Sequence, residues 1–209
     1  MGRCGASILP VACPRLGVLG GSFDPPHLGH LVIASEAHAR LGLERVLFAP
    51  AAAPPHKDRC EQSSPATRMA MTRLAIADDD RFALCDVELE LGLAYTRDVL
   101  AELAFRHPEH ELVFIMGSDS LLQFDSWRDP HGILALCRLA VATRPGDDAT
   151  AIAAAVTRWG GAAIDLIAAP LIGISSTEVR ARVAAGLPIR YLVRPAVEEL
   201  IRARGLYRA

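Results

Sequence analysis

The stretch that decides the fold is residues 16–30, Leu16-Gly17-Val18-Leu19-Gly20-Gly21-Ser22-Phe23-Asp24-Pro25-Pro26-His27-Leu28-Gly29-His30. It begins as a short apolar run, passes through a turn rich in glycine and proline, and continues into apolar residues at helical spacing from Leu28 to Leu41. A strand that leads through a tight turn into a helix is the first half of a parallel β-α-β unit. The stretch therefore predicts an α/β fold.

The rest of the chain repeats this alternation. Further strands are predicted over residues 45–49, 82–91, 111–116, 138–142 and 163–168, and further helices over residues 64–77, 96–106, 147–159, 176–185 and 195–203. Strands that alternate with helices form parallel sheets covered on both faces. We expect a Rossmann-like, doubly wound parallel sheet of about five strands, with its ligand beyond the carboxyl ends of the strands.

Composition limits the classes of protein. The 209 residues include 22 Lys and Arg against 24 Asp and Glu, a formal net charge of −2, and nucleic-acid binding usually needs a basic face. No apolar run is long enough to span a membrane. The five cysteines are scattered, which favours a reducing compartment, the cytoplasm. We expect residues 1–14 to be a disordered extension and residues 15–209 to be one domain, as a monomer or small homo-oligomer.

The turn in residues 20–30 has the features of an anion site. Gly20 and Gly21 let the backbone approach a ligand closely. His27 and His30 lie three residues apart at a helix start, beside the positive end of the helix dipole. Gly29 leaves room for a ring or a ribose. These residue types together predict that the helix start binds a phosphate.

Other nucleotide and metal motifs do not fit. The three-glycine dinucleotide pattern is absent, and so is a Gly-Lys-Ser/Thr phosphate loop. His27 and His30 have no third ligand nearby in sequence, so we predict no protein metal site there. We assign surface or packing roles to the histidines at positions 38, 107, 110 and 131.

A second anion-binding helix start is predicted near the end of the chain, at Ile174-Ser175-Ser176-Thr177-Glu178-Val179-Arg180. Ser175 and Glu178 have capping-box spacing, and Arg180 falls in the first turns of the helix. Taken alone, this would be an ordinary capped helix. Together with the first motif, it indicates a second set of phosphate donors.

These two segments resemble the His-x-Gly-His signature and the Ser/Thr-rich motif of the nucleotidyltransferase superfamily. Three more segments resemble the bacterial nicotinate mononucleotide adenylyltransferase family: Pro54-Pro55-His56-Lys57, Tyr95-Thr96 with Asp98, and Gly117-Ser118-Asp119 with Trp127. The tail is also similar, although Arg194 stands where the family often has proline. The resemblance covers nearly the whole chain from Leu16.

The resemblance implies transfer of AMP from ATP to nicotinate mononucleotide, without a protein nucleophile. The residues that it implies as catalytic are His27, His30 and Arg180. Those that it implies for ATP are Gly21, Ser22, Phe23, Gly29, Gly117, Asp119, Ser175, Ser176 and Thr177. Those that it implies for nicotinate mononucleotide are Lys57, Thr96 and Trp127. Mg²⁺ would be held mainly by the ATP phosphates.

Two alternatives stay open at this point. Phosphopantetheine adenylyltransferases share both hallmarks, but usually lack the Pro-Pro-His-Lys loop and the Trp127 region. A nucleotide-binding sensor that has lost catalysis is the alternative from another class, and the intact histidines and Arg180 argue against it. Cytidylyltransferases and fragments of aminoacyl-tRNA synthetases fit less well.

Overall fold

A computed structural model describes residues 13–51, 63–170 and 172–208. Its strands are β1 (Arg15–Gly21), β2 (Arg45–Pro50), β3 (Phe82–Leu84), β4 (Glu111–Gly117), β5 (Arg138–Thr143) and β6 (Ile164–Ala168). They form one sheet in the order β3-β2-β1-β4-β5-β6, and every neighbouring pair is parallel. The predicted parallel sheet is confirmed, with six strands against the expected five or so.

The helices connect these strands and cover both faces. They are α1 (Leu28–Leu41), α2 (Pro65–Ile76), α3 (Val87–Leu91), α4 (Thr96–Arg106), α5 (Ser118–Leu122), α6 (Pro130–Leu136), α7 (Ala149–Arg158), α8 (Ser176–Ala184) and α9 (Pro195–Ala203). Buried residues of α1, α2, α8 and α9 share one core cluster, and those of α3 to α7 share the other. The sheet is therefore doubly wound, as the alternating pattern predicts.

Strand β4 contributes side chains to both core clusters. Leu112, Phe114 and Met116 face the cluster under α4, whereas Val113 and Ile115 face the cluster under α1. Successive side chains of a strand point to opposite faces, so a strand covered on both sides must be apolar at every position. This explains the uninterrupted apolar run in the sequence.

The order of the strands places a crevice between β1 and β4. From β1 the chain moves outward to β2 and β3, and then returns to β4 on the other side of β1. Open α/β sheets bind ligands at such a reversal, outside the carboxyl ends of the strands. The turn at 22–27 and the residues after β4 both open into this crevice.

The prediction of a strand over residues 82–91 is wrong for most of its length. Strand β3 ends at Leu84, and Val87–Leu91 form the short helix α3. Apolar side chains alternate at Val87, Leu89 and Leu91, which suggests a strand, yet only Val87 is buried and the two leucines are exposed. Among the described strands β3 lies at the sheet edge and pairs with β2 alone, so no second neighbouring strand extends its ladder.

Two predicted segments lie largely outside the described residues. Most of the predicted extension lies there, but Pro14 is described and its carbonyl accepts a hydrogen bond from the Glu111 amide at 2.9 Å. Most of the irregular segment 50–64 lies there too, including Lys57. Within the part that the structure describes, no helix is long and apolar enough to cross a membrane.

Candidate active site

A cavity of about 880 Å³ opens at the carboxyl edge of the sheet, above β1 and β4. Its walls include most of the predicted site residues: Gly21, Ser22, His27, Gly29, His30, Thr96, Gly117, Asp119, Trp127, Ser175, Ser176 and Thr177. Phe23 and Arg180 are not among the wall residues, and Lys57 lies outside the described residues. Segments distant in sequence thus share one cavity.

The two histidines of the first motif form a stacked pair on this wall. Their ring centroids are 3.7 Å apart, with 29° between the ring planes. The backbone N–H of His27 donates to Nδ1 of His30 at 3.1 Å. Because Nδ1 of His30 is an acceptor, this bond assigns the proton of the neutral ring to Nε2.

His27 is held in its neutral form. The residue is only 8% exposed, and its Nδ1 is buried without a hydrogen-bond partner. Burial lowers the pKa of His27 from 6.5 to about 4, because the charged ring would lose its hydration. A neutral ring can stack on His30 without like-charge repulsion.

Gly29 makes this arrangement of the pair possible. A Cβ atom at this position would lie 3.0 Å from the His27 ring, closer than side chains normally pack. The space beside the Gly29 backbone, which the sequence suggests for a ligand, is partly filled by that imidazole.

The first amides of α1 are largely used within the protein. The Leu28 N–H donates to the carbonyl of Leu192 at 2.9 Å, and the His30 N–H donates to the carbonyl of His27 at 3.0 Å. Helix starts usually offer such amides to anions. At this helix start, two of the first amides already have backbone acceptors.

The second motif is attached directly to the first. Ser175 caps α8 by accepting a hydrogen bond from the Glu178 amide at 3.1 Å. The hydroxyl of Ser176 donates to the carbonyl of Pro25 at 2.9 Å, between residues 151 positions apart. The Arg180 guanidinium donates to the carbonyl of Asp24 at 2.8 Å. The start of α8 and the 22–27 turn therefore form one rigid wall.

Phe23 supports the histidines from below. Its side chain is fully buried, and its ring meets His30 edge-on at 4.9 Å. The residue has a φ of 46°, a conformation that non-glycine residues seldom adopt.

A buried polar network holds the turn in place, and sequence reasoning missed it. The Tyr207 hydroxyl donates to the Asp24 carboxylate at 2.6 Å, and the Ser63 amide donates to the other carboxylate oxygen at 3.2 Å. Arg68, only 1% exposed, donates to the carbonyl of Ser22 at 2.8 Å. Burial, and then the bond to Asp24, raise the pKa of Tyr207 above its usual range. The hydroxyl therefore keeps its proton at neutral pH and can donate it to Asp24 in a hydrogen bond.

The opposite wall carries aromatic and charged side chains. Trp127 is half-buried and meets Phe114 and Phe124 edge-on, at 5.9 Å and 5.4 Å. Arg128 lies over the Tyr95 ring at 4.3 Å, beside Thr96. This end of the cavity suits a flat, polar ring.

One ion pair at the mouth was also absent from the sequence prediction. Arg144 donates to the Asp119 carboxylate at 2.7 Å, and the Asp119 side chain is 75% exposed. Both residues line the cavity. Arg144 follows β5 and Asp119 follows β4, so only the pairing of these strands brings the two together.

Comparison with known proteins agrees with this geometry. A family model described as cytidylyltransferase-like matches residues 18–182. A relative from Desulfitobacterium hafniense (strain Y51), named "Probable nicotinate-nucleotide adenylyltransferase", is 39% identical over 198 residues, which covers 93% of this chain and 96% of the relative. A relative of the same name from Geotalea daltonii is 40% identical over 211 residues, covering 92% and 98%. The chain belongs to the nicotinate-nucleotide adenylyltransferase family.

Solved structures support the fold of this nucleotidyltransferase. The Plasmodium falciparum nicotinic acid mononucleotide adenylyltransferase complexed with NaAD matches with a TM-score of 0.77 at 18% identity, covering 93% of this chain and 97% of that one. The same protein complexed with APC matches with a TM-score of 0.74. The resemblance inferred from the motifs, and the fold class, are confirmed.

Proposed function

We propose that the cavity is the site where this chain transfers the AMP moiety of ATP to nicotinate mononucleotide. The products are nicotinate adenine dinucleotide and pyrophosphate, in NAD biosynthesis. The observation that carries the site assignment is the joining of the two anion-binding motifs, through Ser176 and Pro25, into one wall of the cavity. We propose residues 15–209 as the one domain that holds it.

The reaction requires no covalent intermediate with the protein. An oxygen of the mononucleotide phosphate attacks the α-phosphorus of ATP, and the bond from that phosphorus to the pyrophosphate oxygen breaks. The protein must hold two anions in line and stabilise the charge that develops on the α-phosphate and on the leaving group. The site residues are accordingly donors and positioning groups.

We assign the charge-stabilising work to the stacked histidines. His30 donates from Nε2, and its other nitrogen is already held by the His27 backbone. His27 is neutral and fixes the His30 ring from one side. A donor that is held in place before the reaction needs no reorganisation in the transition state.

Arg180 is proposed as the third member through its position on α8. One side of its guanidinium holds the Asp24 carbonyl, and the other lies 3.4 Å from the Thr177 hydroxyl. A guanidinium has five N–H donors, so these contacts leave donors for phosphate. Its charge also reinforces the anion-binding start of the helix.

The remaining assignments keep the roles that the sequence motifs imply. For ATP we propose the turn residues Gly21, Ser22, Phe23 and Gly29, the helix-start residues Ser175, Ser176 and Thr177, and Gly117 with Asp119 for the ribose. For nicotinate mononucleotide we propose Thr96 and Trp127, and Lys57 for a phosphate.

A divalent cation accompanies ATP in reactions of this kind, and we propose Mg²⁺. The described residues of the cavity wall place no cluster of carboxylate and imidazole ligands there; the carboxylates on the wall are Glu88 and Asp119, and Asp119 pairs with Arg144. The described part of the wall forms no protein cage for Mg²⁺, and we propose that the phosphates and water hold the ion.

The test is pyrophosphate release with ATP and Mg²⁺, comparing nicotinate mononucleotide, nicotinamide mononucleotide and phosphopantetheine as acceptors. We expect turnover with nicotinate mononucleotide and none with phosphopantetheine. Turnover with phosphopantetheine alone would contradict the proposed acceptor.

Trp127→Ala tests the acceptor end of the cavity. We expect the KM for the mononucleotide to rise about tenfold or more, since base–aromatic stacking contributes about 1–3 kcal/mol, and the KM for ATP to change less. Trp159→Ala is the matched control, because Trp159 also meets Phe124 edge-on, at 5.1 Å, but is not on the described cavity wall. Equal losses for both substrates would indicate that Trp127 only packs.

A further inference from the structure

A second histidine pair lies at the opposite, amino edge of the sheet. His107 and His110 are in the loop between α4 and β4, and ligand atoms of His107, Glu109 and His110 all lie within 4.8 Å of one another. Glu44, in the loop before β2, approaches the same place. Strands β2 and β4 flank β1, so the two loops are neighbours.

The surroundings of His110 are those of a metal ligand. Its Nε2 lies 3.2 Å from a carboxylate oxygen of Glu44, in hydrogen-bond geometry. Its Nδ1 is buried and has no hydrogen-bond partner, although a Glu109 carboxylate oxygen lies 3.2 Å away. A histidine that binds a metal through one nitrogen commonly donates from the other to a carboxylate. Glu44 is placed for that second role.

The spacing of the donor atoms also fits a small tetrahedral ion. Two ligand atoms bound to Zn²⁺ at about 2.0 Å in a tetrahedron lie about 3.3 Å apart. The 3.2 Å between Nδ1 of His110 and Oε1 of Glu109 matches this separation. Bonding to one ion would explain why these two atoms lie so close without a hydrogen bond between them.

We propose that His107, Glu109 and His110 bind a divalent transition-metal ion of the Zn²⁺ type, with Glu44 orienting His110. Imidazole with carboxylate suits Zn²⁺, whereas Mg²⁺ prefers an octahedron of oxygens. The loop is already braced, since the Cys13 thiol donates to the carbonyl of Glu109 at 2.8 Å. The site lies at the edge of the sheet opposite to the cavity, so we expect the ion to stabilise the 107–110 loop and, through Glu44, its contact with the loop before β2.

The experiment titrates Co²⁺, and then Zn²⁺, into the full chain after chelator treatment, with a phosphine reductant in place of a thiol, which would itself bind these ions, and without nucleotide. We expect visible Co²⁺ absorption typical of a tetrahedral site, which Zn²⁺ removes and Mg²⁺ does not. We expect Zn²⁺ to raise the midpoint of thermal unfolding, and a chelator to reverse that rise.

Substitutions of the proposed ligands test which residues bind the ion. His107→Ala with His110→Ala should lose the Co²⁺ signal and the Zn²⁺-dependent rise, whereas His131→Ala on α6 should keep both. Glu44→Gln should weaken Zn²⁺ binding by about 10- to 100-fold, the usual effect of removing a carboxylate behind a ligand. If the double variant does not fold, Glu109→Ala, on an exposed side chain, replaces it. An absent Co²⁺ signal in the full chain, or one unchanged in these variants, would overturn the proposal.

Discussion

The two histidine pairs have the same spacing and opposite surroundings. The ring centroids of His27 and His30 are 3.7 Å apart, and Phe23 packs against His30. Both histidines lie on a cavity wall that also carries serine and threonine hydroxyls. His107 and His110 meet at right angles, 5.7 Å apart, and His110 lies between two carboxylates. We propose that the first pair donates to an anion and that the second binds a cation. In this proposal the neighbouring charges, and not the spacing, distinguish the two pairs.

The largest effect that would sharpen this comparison is expected from His30→Ala. Removing one preorganised donor to developing charge lowers kcat by about 10²–10³-fold. We expect that loss with little change in thermal stability, measured by pyrophosphate release beside unfolding curves. His131→Ala is the control at a surface histidine. A folded His30→Ala enzyme with normal turnover would remove His30 from the mechanism.

Next in size is the pH dependence of stability that His27 contributes. The unfolded ring takes up a proton near pH 6.5 and the folded ring only near pH 4, so between these values the unfolded chain holds more protons. The free energy of unfolding therefore falls as the pH falls through this window, by about 3 kcal/mol in total.

Urea unfolding at pH 7 and pH 4.5 would measure this term. His27→Asn keeps a side chain suited to the helix N-cap and cannot titrate, so its stability should fall less over the same interval. An equal fall in the variant and in the natural chain would show that His27 is not held neutral.

A smaller effect is expected from Gly29→Ala, which disturbs the stack without removing a ring. The added Cβ would lie 3.0 Å from the His27 ring, which has little room to move. We expect kcat to fall about tenfold, while the helix gains up to about 1 kcal/mol of propensity. Reduced turnover with unchanged or raised stability would confirm that the stack matters for chemistry. Unchanged turnover would mean that the pair tolerates displacement.

The smallest effect is expected from Tyr207→Phe, which removes the hydroxyl that holds Asp24 behind the turn. One buried hydrogen bond to a charged group contributes about 1.5–3 kcal/mol, and its partner Asp24 keeps the Ser63 amide. We expect a loss of stability at the lower end of that range and a fall in kcat of less than tenfold. Tyr191→Phe is the matched control, because Tyr191 is 76% exposed. The same unfolding midpoint in both variants would contradict the anchoring role.

Much of the fold could be predicted because the signals are local. The predicted bounds of α1, α4 and α9 agree with the structure, since apolar spacing and chain breakers lie within each element. The error at residues 82–91 came from a local pattern that two structures satisfy equally. Only pairing with a neighbour separates a strand from a short helix there, and β3 pairs for three residues.

The sequence by itself determined the parallel α/β sheet, the 22–30 turn, the capped start of α8 and the family resemblance. Each of these features depends on residues that are close together in the sequence. The tertiary structure decided that His27 is neutral, which carboxylates lie beside His110, and which contacts hold the turn. Asp24 and Tyr207 are 183 residues apart, and Glu44 and His110 are 66 apart. Contacts at such separations leave no periodic pattern in a sequence, and burial, which sets the pKa of His27, exists only once the chain has packed.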